Sequence, residues 1–245
     1  MCAYPTSPSP RSKVRAPDVY LSRLPVNTAS RAFRRDFADV QQMHRTLMSV
    51  LPEVVTGEPA RREHRLLWRI DPTDTGYALL VQTLTPPVWD RLPEGYLAGE
   101  AQTRSMDGAL KAIAPGRALA MRLIANPTRI VRDPSAPKEE RGKRVPLRDP
   151  EQQLGWLARK GEQHGFVVPA GADGAMAVNV TPCPPVVGYK GDGRRRDKIT
   201  ISAVRYDGRL VVTDADAFTE AVRSGIGRAK AYGCGLVSLA PIPSR

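Results

Sequence analysis

Apolar residues recur at helical spacing in one segment of the first fifty residues. Four residues fall at i, i+4, i+7 and i+11 of this segment: Val40, His44, Leu47 and Leu51. This spacing predicts a helix over residues 39–51 with one buried face. Asp39 followed by Gln42 resembles a capping box at its start, and Pro52 ends it. The basic segment at residues 30–37 predicts a short helix or turn just before it.

Short apolar runs on either side of this helix predict strands. Residues 19–26, 64–70 and 76–83 are such runs, and the turn residues between 71 and 76 join the last two as a hairpin. The order strand, helix, strand, strand is the first part of a ferredoxin-like βαββαβ unit, the plan shared by RRM-type RNA binders. A short helix near residues 88–92 and an edge strand near residues 105–113 would complete the unit.

The second half of the chain repeats this order without a visible sequence repeat. We predict strands at residues 117–125, within 166–187, and at 199–205, 209–212 and 236–240, with helices at 150–165 and 214–224. Tyr206, Asp207 and Gly208 are predicted to form a turn between two of these strands. The predicted fold class is therefore α+β, with two tandem ferredoxin-like (RRM-like, βαββαβ) domains.

Domain boundaries follow from these two units. We assign residues 1–18, which are rich in Pro, Ser and Arg, to a disordered N-terminal extension. Residues 19–112 form the predicted N-terminal domain, and residues 113–245 form the predicted C-terminal domain.

The net charge of the chain indicates the kind of partner that it binds. The 245 residues have a formal net charge of +12, and the sequence pI is about 10.0. Such an excess of positive charge indicates a polyanionic partner, of which nucleic acid is the usual one. Arginine outnumbers lysine, which favours forked contacts to phosphate groups and base edges.

Cysteine and histidine are too few and too dispersed for a disulfide framework or a zinc site. The chain has 3 cysteines and 3 histidines, and none of them has metal-ligand spacing. No apolar run is long enough to span a membrane, and residues 1–18 lack the apolar core of a signal peptide. We therefore expect a cytoplasmic protein without a disulfide, a metal or another cofactor.

A glycine-rich segment near the C-terminus is a candidate anion site. Its glycines and cations are Gly225, Gly227, Gly233, Gly235, Arg228 and Lys230. Glycine allows positive φ and close approach to backbone amides, and amides together with cations bind phosphate. The spacing is neither that of a P-loop nor that of a dinucleotide fingerprint. The alternative interpretation is a flexible connection between helix and strand with incidental charge.

Two further segments concentrate positive charge. Residues 126–147 include Arg129, Lys143 and Arg144, and residues 188–198 include Arg194, Arg195, Arg196 and Lys198. Because strands flank the second segment, it would form a basic β-hairpin of a size to enter a nucleic-acid groove. Both segments also fit the simpler interpretation of solvated loop tips.

His44 is the one histidine on a strongly periodic helix, and Arg45 follows it. One hypothesis is a general acid or base next to a phosphate, because imidazole titrates near neutral pH. The other is a core histidine on an apolar face. His64 and His164 have the positions of a strand start and a helix end, and we predict no function for them.

Six motifs, in order and at consistent spacing, resemble the CasE family. They are Tyr20-Leu21-Ser22-Arg23, Met43-His44-Arg45-Thr46-Leu47, Leu67-Trp68-Arg69, Ala125-Asn126-Pro127, Lys143-Arg144-Val145-Pro146-Leu147, and the glycine-rich segment running into Ser238-Leu239-Ala240-Pro241. Members of this family are the CRISPR RNA-processing endonucleases of type I-E Cascade complexes, within the RAMP superfamily. The resemblance extends from Val19 to Pro241.

The resemblance implies two ferredoxin-like domains that bind the repeat hairpin of precursor CRISPR RNA. It implies a metal-independent cut at the 3′ base of the hairpin, after which the protein, a monomer when free, stays bound to its product as a Cascade subunit. His44 matches the catalytic histidine of the family. The residues expected to bind RNA are Arg45, Arg129, Lys143, Arg144, Arg194, Arg195, Arg196, Lys198, Gly225, Gly227, Arg228, Lys230, Gly233 and Gly235.

Two positions depart from the family pattern. Family members have a tyrosine three residues before the histidine, and some have a lysine five residues after it, where this chain has Gln41 and Ser49. These departures leave the general base open: Tyr20, Arg45 and Lys230 are candidates, and the alternative is that His44 acts with little help. They also keep open a non-cleaving RAMP-type structural subunit that only binds RNA. An unrelated protein with tandem RRM-like domains is disfavoured, because the strands lack the aromatic RNP pattern.

Overall fold

The computed structural model describes residues 19–53, 63–132, 135, 137–138, 141–172, 174–191 and 197–242. The predicted disordered extension, residues 1–18, lies outside this range. Two antiparallel sheets with flanking helices form the two halves of the described chain, in agreement with the predicted fold class. None of the described helices combines the length and the apolar character that a membrane crossing requires.

The N-terminal unit has the strand order of a ferredoxin-like sheet. Its elements are β1 (Tyr20–Pro25), α1 (Arg31–Ala38), α2 (Val40–Ser49), β2 (Leu67–Thr73), β3 (Gly76–Thr83), a 3-10 turn (Trp89–Arg91) and β4 (Gln102–Ser105). The strands lie in the order β2-β3-β1-β4, and every neighbouring pair is antiparallel. Ser30 caps α1, since its hydroxyl accepts the N–H of Phe33. The predicted first unit is confirmed in its strand order.

The predicted edge strand at residues 105–113 is wrong. The edge strand is Gln102–Ser105, and the helix α3 (Asp107–Lys111) follows it directly. Leu110 and Ile113 are three residues apart and are both buried, which is the spacing of a helix and not of a strand. They pack, with Val19, in the hydrophobic core of the C-terminal unit. The boundary at residues 112 and 113 stays a prediction.

The C-terminal unit repeats the ferredoxin-like order and adds two hairpins. The strands of its sheet and the helices that connect them are β5 (Ala118–Ala125), α4 (Pro150–Gln163), β8 (Phe166–Val167), β9 (Val178–Pro182), β12 (Val204–Val212), α5 (Ala215–Ser224) and β13 (Val237–Pro241). The strand order is β13-β5-β12-β8, and β9 also pairs with β12. The hairpins are β6 (Thr128–Ile130) with β7 (Arg144–Pro146), and β10 (Val186–Lys190) with β11 (Asp197–Ile201).

The predicted turn at Tyr206, Asp207 and Gly208 is wrong, because all three residues lie within β12. Tyr206 is fully buried and stacks on Trp156. Gly208 serves close strand packing, since a Cβ there would lie 2.3 Å from the carbonyl oxygen of Ala177. Tyr206 and Gly208 are therefore explained by burial and by close contact between strands, and not by the formation of a turn.

Buried polar contacts join the two units. The Arg69 side chain is 3% exposed, and it forms an ion pair with Asp71 in which Nη2 and Oδ2 are 2.7 Å apart. Its Nη2 also donates to the hydroxyl of Ser238 on β13 over 2.9 Å. Gln82 of β3 donates from Nε2 to the carbonyl of Val222 at 2.9 Å. Because buried polar groups require partners, these contacts fix how the two units meet.

Candidate functional site

The helix α2 presents His44 at its surface. Asp39 caps its N-terminus, since the Asp39 carboxylate accepts the N–H of Gln41 over 2.9 Å. Its buried residues include Val40, Met43 and Leu47. The predicted buried face was therefore one residue off at this turn, because Met43 fills the core and His44 is only partly buried. Arg45 is exposed beside it.

The hairpin β10–β11 packs over the first turn of α2. The backbone N–H of Tyr189 donates to Oδ1 of Asp39 at 3.2 Å. A Cβ on Gly188 would lie 3.0 Å from Cγ2 of Val40, so the glycine lets the hairpin approach the helix closely. Lys198 is exposed on β11, in register with Tyr189. The predicted basic residues Arg194, Arg195 and Arg196 lie outside the described residues.

The glycine-rich segment packs between the two units. Gly225 has φ 76°, and a Cβ there would lie 2.7 Å from Cδ2 of Leu67. Gly233 approaches the Trp68 ring, and Gly227 approaches the Trp156 ring, each at a distance that excludes a larger residue without rearrangement. The glycines therefore permit close packing of backbone on side chains.

Two backbone amides of this segment donate to carbonyl oxygens of neighbouring elements. The N–H of Gly225 donates to the carbonyl of Ala221 at 2.8 Å, and the N–H of Gly235 donates to the carbonyl of Ile124 at 2.8 Å. The predicted phosphate site made of backbone amides is wrong for these two groups, because their hydrogens point to protein carbonyls. The segment also offers an anion the charged side chains of Arg228 and Lys230.

Those side chains lie in a basic pocket of about 730 Å³ in the C-terminal unit. The β6–β7 hairpin, α4 and the glycine-rich segment form its walls. The cations that line it are Arg129, Arg132, Arg144, Arg159, Lys160, Arg228 and Lys230. We call this site the basic pocket. Its charge and its size fit a segment of a phosphate backbone.

Four of the predicted cations lie in the basic pocket, and two residues of α4 join them. Arg159 and Lys160 follow Trp156 at i+3 and i+4, and Gln163 completes the lining face at i+7. Sequence analysis missed them, although this helical spacing was a usable signal. Lys143 is exposed in the strand connection just before β7, and the pocket lining does not include it.

His164 also lines the basic pocket, although no function was predicted for it. Its partial burial lowers its pKa below the ordinary value, and the neighbouring charges of Lys160 and Lys230 lower the pKa further. The imidazole therefore favours its neutral form in the free protein. A bound phosphate would oppose the effect of these cations.

A 3-10 turn, Lys230–Tyr232, connects the basic pocket to α2. Lys230 lines the pocket, and its Nζ donates to the carbonyl of Ser224 at 2.7 Å. At the other end of the turn, the hydroxyl of Tyr232 donates to Oε1 of Gln41 over 3.2 Å. The turn thus joins the basic pocket to the helix that carries His44.

The described residues offer little for a metal. No group of three or more His, Cys, Asp or Glu side chains within them is arranged to hold a metal ion. Ser49, where some members of the CasE family are expected to have a lysine, donates its hydroxyl to the carbonyl of Thr46 at 2.9 Å. Its side chain is therefore engaged along the helix itself.

Known proteins are similar to this chain in sequence and in fold. The family model for CRISPR-associated proteins matches residues 19–241. The CRISPR-associated endoribonuclease Cse3 of Thermus thermophilus is 37% identical over 226 residues, which cover 91% of this chain and 100% of that protein. The CRISPR system Cascade subunit CasE of Escherichia coli is 30% identical over 231 residues, with 91% and 100% coverage.

A solved structure agrees with these relatives. The structure of Thermus thermophilus Cse3 bound to an RNA representing a pre-cleavage complex superposes with a TM-score of 0.72 at 35% identity. It covers 91% of this chain and 100% of that chain. The resemblance to CasE proteins is thereby confirmed. Because the family model matches nearly all of the described chain and both relatives are covered in full, this chain belongs to the family of CRISPR-associated proteins.

Proposed function

We propose that this protein is an endoribonuclease that cleaves precursor CRISPR RNA at the 3′ base of the repeat hairpin and stays bound as a Cascade subunit. One observation supports this most strongly. His44 is partly exposed on a helix that the β10–β11 hairpin overlies and that the turn Lys230–Tyr232 links to the basic pocket. The helix that carries a candidate proton-transfer group is thus joined through one turn to a surface suited to a phosphate backbone, in a chain whose relative is named an endoribonuclease.

The proposed reaction needs no metal ion. The ribose 2′-oxygen attacks the adjacent phosphorus and loses its proton to a base, while the bond from phosphorus to the 5′-oxygen breaks and an acid protonates that oxygen. The products are a 2′,3′-cyclic phosphate, which water can open to a 3′-phosphate, and a 5′-hydroxyl. His44 is the general acid or base, and an imidazole suits either role near neutral pH.

The positive surface holds the RNA. In this proposal the basic pocket and the exposed cations Arg45, Lys143 and Lys198 neutralise phosphates of the hairpin stem. Distributed phosphate contacts position the RNA, and the cut follows where the scissile bond meets His44. The free protein acts as a cytoplasmic monomer that later joins Cascade through its bound product.

A non-cleaving RNA-binding subunit is the second candidate. Gln41 and Ser49 favour it, because neither can supply the phenol or the ammonium group found at these positions in family members. This subunit would use the same basic pocket but leave the hairpin intact.

A cleavage assay on a labelled repeat hairpin in EDTA separates the two. The wild-type protein should make a single cut at the 3′ base of the hairpin, and His44→Ala should make none. Tight binding by the wild type without a cut would select the non-cleaving subunit. Binding that does not prefer the repeat hairpin over unstructured RNA would overturn both.

A further inference from the structure

Tyr232 lies next to the helix that carries His44, although it comes from the other end of the chain. Its hydroxyl donates to Oε1 of Gln41 over 3.2 Å, across a sequence separation of 191 residues. Gln41 and His44 are three residues apart on α2, so they project from the same side of the helix. This hydrogen bond therefore acts on the immediate surroundings of the proposed catalytic side chain.

The backbone that carries Tyr232 is held in an unusual conformation. Ala229, just before the turn, has φ 59°, in the left-handed region that a residue with a Cβ rarely adopts. The N–H of Tyr232 donates to the carbonyl of Ala229 at 2.8 Å, and Nε1 of Trp68 donates to the carbonyl of Ala231 at 3.1 Å. A strained conformation persists only where its surroundings impose it, so this turn is a fixed support.

The same turn has one end in the basic pocket, through Lys230. The turn Lys230–Tyr232 therefore contacts both the pocket in which a phosphate backbone would bind and the helix that carries His44. If the contact from Tyr232 to Gln41 is lost, the helix face and the bound RNA lose a common point of attachment. A displacement of about 1 Å between reacting groups can slow a reaction about 100-fold.

We propose that Tyr232 is a positioning residue that sets the placement of His44 relative to the bound RNA through its hydrogen bond to Gln41. The inference rests on the proposed endoribonuclease function. It does not require the phenol to touch the RNA, because the action passes through the glutamine side chain. It predicts an effect on the rate of cleavage without an effect on affinity.

Single-turnover cleavage at saturating protein provides the kinetic test. Tyr232→Phe removes only the hydroxyl, and Gln41→Leu removes the side-chain amide whose oxygen accepts from it. Each should slow the cut about 10-fold and leave the affinity for the hairpin unchanged. The double variant should be no slower than either single variant, because both changes remove the same contact. Tyr77→Phe is the matched control and should cleave at the wild-type rate, since the ring of Tyr77 contacts Phe37 of α1.

NMR of the histidine rings provides a readout that does not depend on cleavage. In protein labelled at histidine, Tyr232→Phe should shift or broaden the ring resonances of His44 and leave those of His64 unchanged. His64 is buried elsewhere, where its ring nitrogens meet Thr85 and Pro52. His44→Ala identifies the resonances by their disappearance.

The outcomes separate this inference from the proposed function. A wild-type protein that does not cut would overturn the proposed function, and the NMR comparison would still decide whether Tyr232 orients His44. A wild type that cuts, with Tyr232→Phe at full rate and His44 resonances unchanged, would overturn the inference. So would a Tyr232→Phe variant whose loss lies entirely in affinity.

Discussion

The two ferredoxin-like units have the same strand order but differ in their helices, their hairpins and the candidate site residues that they carry. The N-terminal unit carries His44 on α2, and a short 3-10 turn stands between β3 and β4 where the C-terminal unit has the helix α5. The C-terminal unit adds two hairpins and forms the walls of the basic pocket. In the proposed enzyme, the N-terminal unit supplies the proton-transfer group, and the C-terminal unit supplies most of the RNA-binding contacts.

This difference predicts two kinds of sensitivity to mutation. Proton transfer depends on one atom at one place, so a single substitution can remove it. Phosphate binding sums many screened charge contacts, so the loss of one cation leaves the others in place. Substitution of His44 in the N-terminal unit should therefore act on the rate, and substitutions in the basic pocket should act on affinity.

The largest effect is expected from His44→Ala. The cleavage rate at saturating protein should fall about 1000-fold or more, because the group that transfers the proton is gone. The affinity for the repeat hairpin should stay unchanged. The measurement is a single-turnover time course paired with a binding titration of the same RNA.

Arg45→Ala is the neighbouring control for this experiment. Arg45 is exposed and lies next to His44, so its loss should weaken binding a few-fold and leave the saturated rate intact. If Arg45→Ala stopped the cut as completely as His44→Ala, the assignment of proton transfer to His44 alone would be wrong.

The basic pocket should respond to substitutions in a graded way. Replacing Arg159, Lys160 and Arg228 together by Ala should weaken hairpin binding about 100-fold at moderate salt, because three phosphate contacts are lost. The slope of log K against log salt should become shallower by about 2 to 3. Binding titrations at several salt concentrations measure both quantities.

A matched triple substitution separates the pocket from net charge. Arg31, Arg34 and Lys111 are exposed and do not line the pocket, so their replacement by Ala removes the same charge elsewhere. It should change affinity far less. Equal losses for the two triples would mean that RNA responds to the total charge of the protein and not to the pocket.

Sequence patterns captured what local interactions decide. The start of α2 at Asp39 and of α4 at Pro150 follows from capping and from the fixed φ of proline, which act within one turn of chain. The strand orders follow from the βαββαβ sequence of elements. These features needed no knowledge of distant residues.

What the sequence did not reveal depends on residues that are far apart along the chain. Whether Met43 or His44 faces the core is set by the strands that α2 packs on. Arg159, Lys160 and His164 join the basic pocket only because α4 meets the glycine-rich segment. The role of Gly225 as a site of close packing likewise depends on Leu67, in the other unit.

Gly225→Ala tests whether the two units depend on this close packing. Gly116 provides the matched control, because φ is 79° there and 76° at Gly225, while a Cβ on Gly116 would meet nothing within 4 Å. Gly116→Ala should lower the free energy of unfolding by about 1 kcal/mol, the cost of the left-handed conformation alone. Gly225→Ala should lower it by about 2 kcal/mol or more, because its Cβ would also press on Leu67 and because ψ is 155° there, a combination with positive φ that is essentially restricted to glycine. Urea unfolding of both variants measures the difference, and equal losses would show that the contact is not a constraint.

The smallest effect concerns His164, whose pKa in the folded protein lies below its ordinary value. On acidification the unfolded chain binds a proton at this position before the folded protein does, so folding stability should fall as the pH drops below about 6.5. His164→Gln should reduce this fall, which urea unfolding between about pH 7.5 and pH 5.5 would detect. Bound RNA should shift the pKa of His164 in the opposite direction, because phosphates in the basic pocket favour the protonated ring. The affinity for RNA should then rise with acidification more in the wild type than in His164→Gln. An affinity that depends on pH equally in both proteins would mean that bound phosphates lie too far from His164 to affect its protonation, and that the RNA backbone does not enter this part of the pocket.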